Sequence, residues 1–333
     1  MLPLALIVAG MAPASACADL LTNPLLEPGA VPLTATPVPL STLDRDRNAV
    51  GELSWLGGLE LTGRGAGFGG LSGLEIGPDG TRFLAISDIG FWVTGRLTFD
   101  TGGRLAGVDD VEAGRLHDEA GAPVGRTYRD AEGLALAPDG TAVVAFEREH
   151  RLWRYRLDAG GGLTGLPAPL TTPPGLEAAP RNLGVEAVAL LADGRLVALA
   201  EGLADDRGTW AWIGSGPDDA IVWQSLRYVP APGHAVSDAA GLPGGGLLVL
   251  ERAFGLLGGR ARLVHVPAHA MEPGAVVEGV EIARLAPPLT VDNFEALAVV
   301  PEDDGAVKLL IASDDNFRPF QRTLLLAFRW RPD

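Results

Sequence analysis

Cysteine occurs once in this chain, at position 17, so no intramolecular disulfide is available and the fold must rest on core packing. Long stretches of helical period are missing as well, which leaves little room for helix. Basic residues are scarce, 26 against 42 acidic ones, giving a formal net charge of −16. A chain so acidic lacks the basic footprint that phosphate backbones require, which argues against nucleic acid as a partner. The five histidines are scattered, with no HxH or HExxH pair, which argues against a zinc or heme centre.

What the chain has instead is turn residues and a repeat. Its 45 glycines and 26 prolines are dispersed, and 47% of residues are hydrophobic. That pattern reads as many short strands around a sizeable core. One motif returns five times: Ser or Glu, an apolar run, a Pro/Asp/Gly-type turn, a second apolar run, then an acidic residue. The copies are Ser72–Asp88, Glu132–Glu147, Glu186–Glu201, Ser237–Glu251 and Glu295–Asp314, and their lead residues lie 60, 54, 51 and 58 positions apart. Self-similarity at this period is the signature of a β-propeller, so the fold class is all-β.

Each copy supplies two strands joined by a hairpin turn. Third strands follow at Phe91–Phe99, Leu152–Leu157, Thr209–Ile213, Ala261–Val266 and Thr323–Trp330, and fourth strands in four copies, among them Ile221–Val229 and Val276–Leu285. The last copy runs out of chain after its third strand. The early segment Glu52–Thr62 is the candidate to complete it and close the ring, which would remove exposed edges. Five blades are favoured; a degenerate sixth within 19–62 or 101–127 is the alternative.

Residues 1–18 are an apolar run ending in small residues, the form of a secretory signal peptide with an h-region too short to span a bilayer. The expected organisation is therefore a signal over 1–18, an extended lead-in over 19–50 and one propeller domain over 51–331. The product would be periplasmic or secreted and monomeric, with no transmembrane span. Ala14-Ser15-Ala16-Cys17 is also an imperfect lipobox, so a lipid anchor on Cys17 is the other reading.

If the first two strands of each repeat pair around the turn, the lead residue comes beside the acidic residue about fifteen positions on. First strands line a propeller channel, so all five pairs should converge on one mouth. Carboxylates crowded there must take up protons or hold a cation. Oxygen ligands in such number suit Ca²⁺. The candidate metal ligands are Asp88, Glu147, Glu201, Glu251 and Asp314, and the candidate catalytic groups Glu132, Glu186 and Glu295. Arg148, Arg252 and Arg322 flank the same mouth and are the candidate substrate-binding cations. The turn residues Asp79, Asp139 and Asp193 belong to the opposite end. Ser72 sits in GGLSG without the strand-to-helix elbow a serine nucleophile needs. His150 lies near the mouth, where it could act as acid or base.

On these segments, FGGLSGLEIGPDGTRFLAISDIGFWVTGRL, RDAEGLALAPDGTAVVAFEREHRLWRY, GVEAVALLADGRLVALAEG, SDAAGLPGGGLLVLER and DNFEALAVVPEDDGAVKLLIASDDNFRPFQRTLLL, the chain resembles the bacterial phytase-like family described by an esterase-like activity of phytase. The resemblance spans roughly 50–330. It implies an exported propeller acting on a small-molecule phosphoric or other ester, with Asp88, Glu132, Glu147, Glu186, Glu201, Glu251, Glu295 and Asp314 as the acidic positions carried over. No lysine stands near the mouth, which weighs against a highly phosphorylated substrate. Two other readings use the same residues: a non-catalytic exported propeller that binds a metal, glycan or protein, and a metal-dependent lactonase or carboxylesterase.

Overall fold

A computed structural model of the chain describes residues 29–63, 68–125, 128–255 and 258–332. The expected signal segment, with Cys17, lies outside the described residues. Four leading strands come first: β1 (Gly29–Ala30), β2 (Leu33–Val38), β3 (Ala49–Val50) and β4 (Leu53–Gly63). Blade one is β5 (Leu71–Ile76), β6 (Arg82–Ser87), β7 (Phe91–Phe99) and β8 (Leu105–Arg115). Blade two is β9 (Ala131–Leu136), β10 (Thr141–Phe146), β11 (Arg151–Leu157) and β12 (Leu163–Pro169). Blade three is β13 (Val185–Leu190), β14 (Leu196–Asp205), β15 (Gly208–Ser215) and β16 (Val222–Tyr228). Blade four begins with β17 (Ala235–Gly241), β18 (Leu247–Gly255) and β19 (Gly258–Val266); after β20 (Val276–Val277) it ends with β21 (Val280–Leu285). Blade five contains β22 (Asn293–Pro301), β23 (Val307–Asp314) and β24 (Thr323–Trp330).

The five sheets close into the five-bladed propeller that the repeat predicts, with β5, β9, β13, β17 and β22 as inner strands. Closure comes from the chain's start. Strand β4 pairs antiparallel with β24, from Thr323 opposite Leu61 to Arg329 opposite Ser54, and β2 adds outside it. The segments considered for a sixth blade are used otherwise: 105–115 is the fourth strand of blade one, and 33–38 and 53–63 belong to blade five. Within the lead-in, β1 pairs with β8 of blade one.

Alternation along the strands decides the packing. Leu309 and Ile311 of β23 face blade four, while Leu310 and Ala312 face blade one. Each blade is thus buried on both faces near the channel, where its first two strands read as continuous apolar runs, while outer strands such as β8 and β12 are interrupted by exposed positions. Among the described residues there are five core clusters, one between each pair of neighbouring blades. Truncating one fully buried member, such as Leu310, to Ala should cost about 2–5 kcal/mol.

One expected strand divides. The run Val276–Leu285 is split between blades, because β20 pairs parallel to β16 of blade three while β21 pairs with β19 of blade four. Gly279 makes the crossing; a Cβ there would lie 2.3 Å from Val264 Cγ1. No helix among the described residues is long and apolar enough to cross a membrane.

Candidate functional site at the channel mouth

At the mouth end of every inner hairpin the pairing register slips by one residue. Leu71 and Gly73, Ala131 and Gly133, Val185 and Ala187, Val236 and Asp238, and Phe294 and Ala296 face consecutive partners. The skipped residues are Ser72, Glu132, Glu186, Ser237 and Glu295, the five repeat leaders. A β-bulge inserts one unpaired residue and re-aims its side chain. The repeat therefore encodes five bulges, three of which present a glutamate.

Beyond each bulge, at the mouth end of the second strands, stand Asp88, Glu147, Glu201, Arg252 and Asp314. The amides of the first three donate to the carbonyls of Gly70, Asp130 and Gly184, at 3.0, 2.8 and 3.1 Å. Arg252 and Asp314 pair with Ala235 and Asn293. Blade four thus corrects the expectation for Glu251. In blades two and three this residue follows the bulge by fifteen positions, and the same count from Ser237 reaches Arg252. Glu251 is turned away from the mouth: Tyr228 Oη donates to its Oε1 at 2.6 Å, and Arg262 pairs with its Oε2 at 2.6 Å. At 1% exposure, with those partners, it has no place in a cation site at the mouth.

Blades one to three form an acidic sector. One oxygen each of Asp130, Glu132 and Glu147 lies within 4.8 Å of the others. Burial, then the charges of Glu147, Asp88 and Asp130, pushes the Glu132 carboxyl well above its ordinary range. Glu186 is displaced the same way by burial and by Glu132, Glu147 and Glu201. Burial raises Glu147 to about 7 against the opposing hydrogen bond that its Oε1 accepts from the Gly184 amide. Asp88 also rises to about 7, through burial and the charges of Asp314 and Asp130. Asp130 was not anticipated from the sequence. It precedes the repeat motif, but the bulge at Glu132 moves it opposite Glu147.

Blades four and five form the second sector, built around Arg252. Its guanidinium pairs with Glu201 at 3.1 Å and with Glu295, and its charge also bears on Glu132, Glu186 and Asp314. Asn293 donates from Nδ2 to Glu295 Oε1 at 2.6 Å. Asp314 rises to about 6 through burial, although the Asn316 amide donates to it at 2.6 Å. A cavity of about 530 Å³ opens here, lined by Glu201, His234, Arg252, Asn293, Glu295 and Gln321 among others.

The remaining expected residues divide. Arg148 is at the mouth, paired to Asp130 and held at φ +64°. Arg322 is occupied by Asp292 at 3.4 Å, Glu60 at 3.8 Å and the Val291 carbonyl at 3.1 Å, and Arg318 lines the cavity instead. Ser72 and Ser237 donate to the carbonyls of Ala131 and Leu250, as fold-building hydroxyls do. His150 places Nδ1, which has no hydrogen-bond partner, against Gly184 behind Glu147. Gly70 (φ +64°) is required beside Asp88: a Cβ there would lie 2.3 Å from Asp88 Oδ1 and 2.7 Å from the Phe317 ring.

A family model, phytase-like, described as esterase-like activity of phytase, matches residues 66–317. The chain belongs to this phytase-like family. The matched span contains the mouth residues described above except Arg318, Gln321 and Arg322. Solved structures give weaker likenesses. The PQQ-bound aldose sugar dehydrogenase of Streptomyces coelicolor is 16% identical over 90% of this chain and 100% of that one, with a TM-score of 0.40. A luciferin-regenerating enzyme is 13% identical over 88% and 95%, with a TM-score of 0.41. A Bacteroides caccae protein of unknown function is 9% identical over 76% and 70%, with a TM-score of 0.33. No match to a protein of curated function was found.

Proposed function

We propose that this phytase-like chain is a divalent-cation-dependent hydrolase of phosphoric esters, working at the acidic sector of the channel mouth, with Ca²⁺ as the cation. The observation that carries the reading is the trio Asp130, Glu132 and Glu147, whose oxygens lie within 4.8 Å of one another in a largely buried setting. Like charges so placed must be protonated or share a cation. The donor set is carboxylate oxygen without imidazole or thiolate, which fits a hard ion of high coordination number. Asp88, Glu186 and Glu201 stand close enough to bear on the same carboxylates.

A cation held there supplies charge neutralisation at a phosphoryl oxygen. The protein's own groups do the rest. Arg252, between the two sectors, offers a guanidinium to the substrate anion on the side away from the trio. Glu186 accepts the proton of the attacking water; burial beside Glu132 and Glu147 makes its carboxylate a stronger base than a free one. Glu295 is less free for that part, because Arg252 and Asn293 already hold its carboxylate.

The test is turnover of p-nitrophenyl phosphate, phytate and short acyl esters, with Ca²⁺ and with chelator. Phosphomonoester turnover that needs Ca²⁺ supports the reading. Metal-dependent turnover confined to acyl esters would replace it with the carboxylesterase reading, and no turnover at all with the binding-module reading. Export belongs to the same proposal and is checked by mass spectrometry of the mature chain, which should begin at Asp19.

A further inference from the structure

A second cavity, of about 330 Å³, lies on the outer edge of the ring, at the end away from the mouth. Its walls come from β2, the loop over 45–48, β4, and the turn that joins β7 to β8 in blade one. It therefore sits on the seam where the lead-in closes the propeller. Gly57 makes the close approach there: a Cβ would lie 2.9 Å from the Leu105 carbonyl oxygen. Three arginines meet at this wall, Arg45 and Arg47 from the lead-in and Arg104 from blade one. Arg47 donates from Nε to the Ala49 carbonyl at 3.1 Å. Its terminal nitrogens, and the whole guanidinium groups of Arg45 and Arg104, have no acceptor among the described residues. Arg252, Arg262, Arg284 and Arg329, by contrast, each hold carboxylates. Asp46 is the one acidic residue in the lining, and it forms an ion pair with none of the three.

The backbone that carries these arginines is held in place. Ser41 Oγ accepts from the amides of Leu43 and Asp44 at 3.3 and 3.1 Å, and the Arg47 amide donates to the Asp44 carbonyl at 3.3 Å. In blade one the Arg104 amide donates to Asp100 Oδ1 at 2.9 Å. Like charges presented together on fixed turns repel one another. A chain of net charge −16 has carboxylates to spare, yet brings none into pairing here. Guanidinium forks match the oxygens of a phosphate or carboxylate. We propose that this cavity binds a small organic oxyanion of at least two negative charges. Its charged head lies between Arg104 and the lead-in arginines, and its body rests on the apolar floor of Trp55, Val38 and Leu105. The volume is of the size that small-molecule sites have. The site stands apart from the channel mouth and does not depend on the hydrolase reading. Because its walls come from both sides of the seam, the bound anion ties the closing segment to blade one and stabilises the closed ring.

The experiment is calorimetric titration of the full chain, in chelator and at low salt, with phenylphosphonate, and with benzenesulfonate as the same ring bearing a single charge. Phenylphosphonate should bind saturably, at least about tenfold more tightly than benzenesulfonate, and should raise the melting temperature. Arg45→Gln with Arg104→Gln should weaken that binding by about tenfold or more, since each hydrogen bond between charged groups is worth roughly that factor. Both side chains are exposed, and the melting temperature without ligand checks that the variant folds. Arg104→Gln alone, which leaves the lead-in as it is, serves if the double variant folds poorly. Arg252→Met tests the mouth as the competing place for the same probe, and binding should persist in it. No saturable binding in the parent, equal binding of the two probes, or binding unchanged in the folded Arg45 and Arg104 variants overturns the assignment. Binding lost in Arg252→Met and kept in Arg45→Gln with Arg104→Gln does so as well, by placing the anion at the mouth.

Discussion

The two ends of the inner hairpins carry the same residue type in opposite states. At the far end, Asp139 and Asp193 are held below the usual carboxylate range by hydrogen bonds from the Thr141 and Arg195 side chains and by turn amides. For Asp79 desolvation is the largest single influence and raises its pKa, but the amides of Arg82 and Thr81, the Thr81 hydroxyl and the Arg96 charge together outweigh it and lower the pKa. Each accepts from the amide two residues on, at 2.9 to 3.1 Å, and the following glycine takes a positive φ, 69° to 84°. At the mouth, burial leads the causes that raise Asp88, Glu132, Glu147, Glu186 and Asp314. An exposed turn satisfies its aspartate locally, whereas the mouth gathers carboxylates from several blades around Arg252. The far end is complete by itself; the mouth is left with carboxyls that must hold their protons or be neutralised.

The sharpest way to break this contrast is to neutralise each end in turn. Glu132→Gln with Glu186→Gln should lower kcat/KM for p-nitrophenyl phosphate by 10²-fold or more, on the order expected for loss of an acid–base group and a cation ligand. Asp139→Asn with Asp193→Asn should leave it within about twofold, because removing polar groups far from a site alters binding and turnover little. Equal losses from both pairs would mean that the mouth has no special role.

Removing the guanidinium comes next in size. Arg252→Met leaves Glu201 and Glu295 with an uncompensated charge, and breaking such a pair costs about 3 kcal/mol. The melting temperature should fall, and Ca²⁺ should recover part of the loss by mass action. A variant as stable as the parent would show that the ring tolerates its own charge.

Deeper in the channel, Glu75 sharpens the comparison through pH. Burial raises its pKa to about 8, although the Leu136 amide donates to Oε1 at 3.2 Å. A carboxyl whose folded pKa exceeds its unfolded value binds its proton more tightly when folded. Its contribution to stability is full below about pH 4.5 and is lost as the pH rises through about 8. Glu75→Gln, which imitates the protonated form, should match the parent at pH 5 and melt higher at pH 9. The reverse order would place a counter-cation beside Glu75. The smallest effect belongs to a single far-end turn: Asp139→Ala should cost about 1 kcal/mol through its lost bonds to Thr141 and leave the Ca²⁺ response untouched.

Most of the architecture was legible because repeat length, turn chemistry and apolar runs all report local structure. The closure was legible because blade five lacks a fourth strand and 52–62 is a spare one. What escaped depends on register. Taking Glu251 for Arg252 is an error of one residue in pairing, and one residue in a strand exchanges inward for outward. Asp130 escaped because the one-residue bulge at Glu132, which brings it opposite Glu147, is a property of strand pairing and not of composition. The parallel pairing of β20 escaped because two residues carry no period. Arg322 escaped because its partners Glu60 and Asp292 are 262 and 30 positions away.

The most direct test of the central claim is calorimetric titration of the chelator-treated protein with Ca²⁺ at pH 7, in two buffers of different ionisation enthalpy. The account predicts saturable binding with net proton release, since carboxyls whose pKa values lie near or above 7 must ionise to take the ion. It also predicts that Glu132→Gln with Glu147→Gln abolishes both the binding and the proton release. Absence of saturable binding in the parent, or binding unchanged in that variant, would contradict the assignment of the mouth as a cation site.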